Sequence, residues 1–243
     1  MPKNKAKCML DSTNVNVNIR RDTTAIATIF ALDDFGSSTL SEEYLKKVIV
    51  ATGKLVDSGI DMPSVSSAFT PEVLEKQSML IIDTSSCLKK RRCFTITGNG
   101  MMLARALLSE GSNSEEESEM IRDIKDSVKR ALEKTRNAEI NELFQTIDAG
   151  PNYHRVEMLL MIRHLRRASL EELFGKGAAM PLELDELIGN GFVVFTQVRG
   201  VIRFELAQNA REFLKKFSAD EKLVPIYFRM ESRVNQKFSP TVR

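Results

Sequence analysis

Tryptophan is absent from this 243-residue sequence, aromatic residues amount to 7%, and cysteine occurs only three times. Cys8, Cys87 and Cys93 are too few and too scattered for a disulfide framework, so a reduced, cytoplasmic setting is expected. No apolar run approaches the roughly 20 residues needed to span a bilayer. The opening stretch MPKNKAKCML carries charge without an apolar segment behind it, so no signal peptide is expected. An excess of one charge sign is missing as well. Lys and Arg number 35 against 33 Asp and Glu, which excludes a uniformly basic, histone-like chain and an acidic disordered one. Phosphate-cradling glycine loops are also lacking, and Gly98-Asn99-Gly100 reads only as a turn. The sole histidines, His154 and His164, lie ten residues apart in one expected helix and face different directions. No Cys or His pairing has metal-ligand spacing. The sequence therefore implies no enzyme, no cofactor and no metal.

The charge is unevenly distributed. Residues 1–110 hold 14 basic and 12 acidic side chains, residues 111–150 hold 6 and 10, and residues 151–243 hold 15 and 11. Two mildly basic segments thus flank an acidic one. The stretch SEGSNSEEESE (109–119) has no apolar anchor and reads as a flexible linker. Beyond it, Ile121, Ile124, Val128, Ala131, Leu132, Ile140, Leu143, Phe144 and Ile147 recur at helical steps, giving a helix of roughly 120–148 that is either a connector or a homodimer contact.

The same order of elements is read on both sides. In the second segment, HRVEMLLMIRHLRR is an amphipathic helix, and Ser169 with Glu172 forms a capping box opening SLEELFG. PLELDELIG is a third helix closed by Asn190-Gly191, VVFTQV and VIRFEL make a hairpin around Arg199-Gly200, and NAREFLKKF closes the unit. In the first segment, TTAIATIFALDDFG is the opening helix, and Thr39 with Glu42 is expected to cap EEYLKKVIVATGKLV. Pro63–Gln77 is a third helical region, of one helix or two. SMLIIDT and RRCFTIT form a hairpin with SSCLKKR at its tip, and GMMLARALL follows. This order resembles the winged-helix superfamily, in tandem, over about residues 22–110 and 152–217. The expected fold class is mostly α with small β-hairpins (α+β), two winged-helix domains joined by a long helix. The expected parts are an N-terminal arm (1–21), a first domain (22–110), the acidic linker and helix (111–150), a second domain (151–217) and a basic tail (218–243).

Four adjacent cations, Lys89, Lys90, Arg91 and Arg92, stand at the tip of the first hairpin. Like charges crowded at an exposed tip are relieved by an anionic partner, and the resemblance implies that such a wing lies on a DNA backbone, where counterion release favours phosphate contacts. Ser64, Ser66, Ser67, Thr70, Lys76 and Gln77 in the third helical region suit phosphate and base-edge contacts, and equally suit helix capping. In the second unit Glu183, Asp185 and Glu186 are expected to be exposed, with the wrong sign for phosphates. Arg163, Arg166 and Arg167 share one face of the first helix, and Arg199 and Arg203 lie on or beside the hairpin. The second unit touches DNA through these arginines, or it binds protein, or the arginines simply pair with the acidic third helix. Leu223–Phe228 is an apolar patch expected as an edge strand or a partner anchor. The sequence reading is a double-stranded-DNA-binding protein, a transcriptional regulator or chromosome-associated factor. Its rival is a tandem scaffold that binds other proteins.

Overall fold

A computed structural model describes residues 22–56, 71–83, 91–109, 114–145, 147 and 151–239. It is mostly helical with small antiparallel sheets, and the chain divides into two compact units. The first comprises residues 1–84 and 92–135, and the second comprises 85–91 and 136–243.

In the first unit, α1 (Thr23–Asp34) is apolar almost all round and has Thr23, Thr24 and every residue from Ile26 to Leu32 buried. A helix of that composition belongs at the centre of a core. Thr28 donates to the Thr24 carbonyl at 2.8 Å, so its hydroxyl adds no unsatisfied group. β1 is only Leu40–Ser41 and leads directly into α2 (Glu42–Gly53). The capping oxygen of α2 is that of Ser41, which accepts from Tyr44 N–H at 3.2 Å, and not that of Thr39 as expected. Thr39 instead shares a 2.6 Å hydrogen bond with Thr95, because residues 40–41 pair with the hairpin and leave Thr39 beside it. The short α3 (Pro71–Lys76) precedes β2 (Leu80–Asp83) and β3 (Cys93–Ile96), and the sheet order is β1-β3-β2. α4 (Gly98–Leu108) follows, capped by Thr97, whose hydroxyl accepts from Gly100 N–H.

α5 (Glu115–Gln145) begins inside the stretch expected as a flexible linker. Ser114 and Glu117 explain the early start: each binds the other's backbone N–H, at 3.2 and 3.0 Å, as a capping box does. The helix therefore starts at 115, ahead of the expected start near 120, and is described to Gln145. Within the first unit, Ser127 and Arg130 both donate to the Leu55 carbonyl just past the end of α2. Met120, Ile121, Ile124, Val128, Ala131 and Leu132 are buried by the chain itself, as are Ile140 and Leu143. That stripe offers no apolar face to a second copy.

The second unit repeats the order. α6 (Pro151–Leu165) is followed by Ala168, which exchanges two backbone hydrogen bonds with Phe204, at 3.1 and 2.8 Å. Ala168 thus pairs with the hairpin's second strand, as β1 does in the first unit. α7 (Leu170–Phe174), α8 (Leu182–Gly189), β4 (Val193–Val198), β5 (Val201–Leu206) and α9 (Gln208–Ala219) complete it. The Arg199-Gly200 turn has φ of +51° and +80°, the geometry of a two-residue type I′ hairpin. The apolar stretch at 223–228, expected as an edge strand or a partner anchor, is not a strand: it leads into α10 (Val224–Phe238), with Pro225 in its first turn. Tyr227, Met230 and Val234, spaced three and four apart, are buried, and Arg163 of α6 donates to Tyr227 Oη and pairs with Glu231.

The capping box at α7 is complete: Glu172 N–H donates to Ser169 Oγ at 3.2 Å, and Ser169 N–H to Glu172 Oε2 at 2.7 Å. The bond from the Ser169 backbone, with its hydroxyl and Arg203 as smaller contributors, holds the Glu172 carboxyl below its ordinary value of 4.5. A depressed carboxyl stabilises the fold fully above that ordinary value and loses the contribution as pH falls through the depressed one. Ser169→Ala is expected to cost about 1 kcal/mol at neutral pH. It also flattens the fall in stability as pH drops below the ordinary carboxyl value of 4.5, read by urea unfolding at stepped pH.

Candidate nucleic-acid interface

The residues expected to meet DNA fall into three groups. Ser64, Ser66, Ser67, Lys89 and Lys90 lie outside the described residues, as do Thr70 and Cys87.

The second group is held by carboxylates. Arg92 sits at the base of the first hairpin, 2.6 Å from Glu72 at the start of α3 and 3.5 Å from Glu42 at the start of α2, with its guanidinium over the Phe94 ring. It ties the hairpin to two helix N-termini, each of which favours the carboxylate placed there. The Glu72 carboxyl is lowered by its own backbone N–H first and by Arg92 second. Arg91 groups with the second unit and makes a two-pronged pair with Asp185, Nε to Oδ1 at 3.2 Å and Nη2 to Oδ2 at 2.9 Å. Asp185, expected to be exposed on the third helix, is instead 6% exposed, because it faces that guanidinium. Its neighbour Glu186 is paired with Arg155. Arg167 pairs with Glu205 at 2.7 Å, Arg203 with Glu172 at 3.2 Å, and Arg163 with Glu231. Of the candidate arginines in the second unit only Arg91 pairs with α8; Arg203, Arg167 and Arg163 take their acids from α7, β5 and α10.

The third group comprises Lys76, Arg166 and Arg199, which have no carboxylate partner among the described residues. Lys76 is exposed at the end of α3. Arg199 is exposed at the tip of the β4–β5 hairpin, and Arg166 lies one residue past the end of α6. Both arginines have left-handed backbones, at φ +51° and +63°. For an L-residue that conformation costs roughly 1–2 kcal/mol relative to the right-handed region, so glycine or asparagine is the usual occupant. Both sites carry arginine despite that cost.

Arg166 leads to residues that the sequence alone does not single out. Arg163 and Arg166 at the end of α6 and Arg211, Lys215 and Ser218 along α9 line one recess of about 440 Å3, with Leu206 and Leu214 also on its wall. Arg211 and Lys215 are four residues apart and share one helical face, a spacing visible in NAREFLKKF. What the sequence does not show is that α9 lies beside the end of α6.

Sites for other chemistry are sparse. A second recess in this unit, lined by Glu139, Glu142, Arg155 and Glu186 among others, has a volume of about 20 Å3, room for a single water. Among the described residues no group of three His, Cys, Asp or Glu is placed to hold a metal ion. No described helix is long and apolar enough to cross a membrane. Cys93 is a buried thiol, and His164 stacks on Phe238. No family model matches the chain, and neither a curated protein nor a solved structure matches it.

Proposed function

We propose that this chain is a tandem winged-helix protein that binds duplex DNA, as a transcriptional regulator or chromosome-associated factor, by laying its hairpin tips on the phosphate backbone. The observation that carries the reading is Arg199, an exposed, carboxylate-free cation held in a left-handed turn at a hairpin tip. The shared element order supports it, since the segment between β2 and β3, the counterpart in sequence of the β4–β5 turn, carries Lys89 and Lys90. In this reading Lys89, Lys90 and Arg199 contact phosphates, with Lys76 and the hydroxyls of Ser64, Ser66 and Ser67 on the third helical region of the first unit. Arg91, Arg92, Arg163, Arg167 and Arg203 hold the fold. A dimer formed through residues 120–148 would have to use the polar face of α5.

Anisotropy titrations with a labelled random duplex at two salt concentrations test this. The Lys89→Ala, Lys90→Ala, Arg199→Ala triple variant is expected to lower the salt slope by roughly 2–3, at about 0.9 for each phosphate no longer neutralised. Arg199→Asn separates function from folding. Asn-Gly is the preferred pair for a type I′ turn, so stability should rise by up to about 1 kcal/mol while DNA affinity falls. The protein-scaffold reading is favoured by α8, where Leu182 is 55% exposed beside acidic residues. Absence of duplex binding at low salt overturns the DNA reading.

A further inference from the structure

We infer that the recess between the end of α6 and α9 is a binding site for a small organic anion with an apolar body, such as an aromatic or acyl carboxylate, sulfonate or phosphate. Its volume of about 440 Å3 lies within the roughly 300–1,000 Å3 of small-molecule sites. Four of its seven lining residues are cationic, none is acidic, and Leu206 and Leu214 supply apolar wall. The charge is largely uncompensated. Arg163 shares its charge with Glu231, whereas Arg166, Arg211 and Lys215 have no carboxylate partner among the described residues.

Two local features raise the positive potential further. Arg211 sits in the first turn of α9, which contains no acid, so its charge adds to the positive end of the helix dipole. Lys215, one turn on, is a like charge on the same face, an arrangement that destabilises a helix by a few tenths of a kcal/mol when nothing neutralises it. Arg166 is held in a left-handed backbone at the recess. An anion filling the recess relieves the repulsion, and its apolar body covers the leucines.

A duplex fits this site poorly. Phosphates on a rigid cylinder offer nothing to an apolar wall and would leave Leu206 and Leu214 uncovered. The inference is independent of the DNA reading, because it uses neither Arg199 nor the first unit.

The test is fluorescence titration of the full chain with anilinonaphthalene sulfonate, an anionic aromatic probe, beside the uncharged probe Nile red. The expected result is one sulfonate site whose affinity falls with salt. Arg211→Ala with Lys215→Ala should weaken it at least tenfold, and Arg166→Glu should do the same, while circular dichroism stays unchanged and the melting temperature does not fall. Lys215→Gln alone should give a smaller, parallel loss if the double variant folds poorly. Equal sulfonate binding by all variants overturns the inference, as does Nile red binding with the same affinity. Stoichiometric displacement of the sulfonate by a random duplex also overturns it, by assigning the recess to the DNA surface. Failure of the DNA reading appears separately, as absence of duplex binding with the sulfonate site intact.

Discussion

Gly100→Ala is expected to destabilise the first unit by about 3 kcal/mol, the upper end of the usual overpacking cost. Gly100 is buried in the first turn of α4, and its N–H donates to the Thr97 hydroxyl. A Cβ built there would press on the Met79 carbonyl oxygen and stand 2.7 Å from Ile96 Cγ1. Neither neighbour moves freely. The Met79 carbonyl already accepts from Thr97 N–H at 3.0 Å, which ties the residue before β2 to the one after β3. Ile96 is itself in β3, paired with Leu80. Relief would require α4 to lift from the sheet, breaking the Thr97 cap as it goes. Gly98, two residues earlier, has no atom within 4 Å of such a Cβ, so Gly98→Ala serves as the control and should change stability little. At about 4–8 °C per kcal/mol for a unit of this size, the difference in melting temperature between the two variants should exceed roughly 10 °C. Equal melting temperatures would show that α4 does not pack on the sheet in this way.

Local signals make much of the architecture readable. The Ser169–Glu172 box, the Arg199-Gly200 turn and the closure at Asn190-Gly191 each depend on residues within a few positions, and each is present. Two-residue β1 is too short to show alternation, so Thr39 reads as a cap although Ser41 holds that place. The run Leu223–Phe228 misleads for a different reason. Its apolar residues suggest a strand, while Pro225 near a helix start and the spacing of Tyr227, Met230 and Val234 signal α10. The carboxylates that hold Arg91, Arg92 and Arg163 are out of reach of local patterns, because the partners lie 94, 20 and 68 residues away. A run of cations identifies charge; only the folded chain shows which of those charges are already answered. That distinction sets Arg91 and Arg92 apart as residues that hold the fold, and leaves Lys89, Lys90, Lys76 and Arg199 as the candidate interface.

Phe213→Ala is expected to cost the second unit about 3–5 kcal/mol, the usual range for emptying a buried aromatic site. Phe213 is fully buried on the inner face of α9. Its ring lies 4.8 Å from that of Phe144, 5.7 Å from that of Phe217 and 6.2 Å, edge to face, from that of Phe192. These rings come from α5, α9 and the residue before β4, so three parts of the unit lose a shared neighbour at once. Aromatic pairs in such offset and edge-on arrangements contribute about 0.5–1.5 kcal/mol beyond area burial, and collapse of one ring cannot restore all three. Phe228→Ala is the control, since that ring is 60% exposed and its loss should stay within about 0.5 kcal/mol. The variant also reaches the proposed anion site. Phe213 lies between Arg211 and Lys215 along α9, facing inward while they line the recess. Loosening its seat should weaken sulfonate binding even at temperatures where the unit remains folded, with both cations still present. Sulfonate affinity unchanged in Phe213→Ala would mean that the recess does not depend on how α9 is anchored.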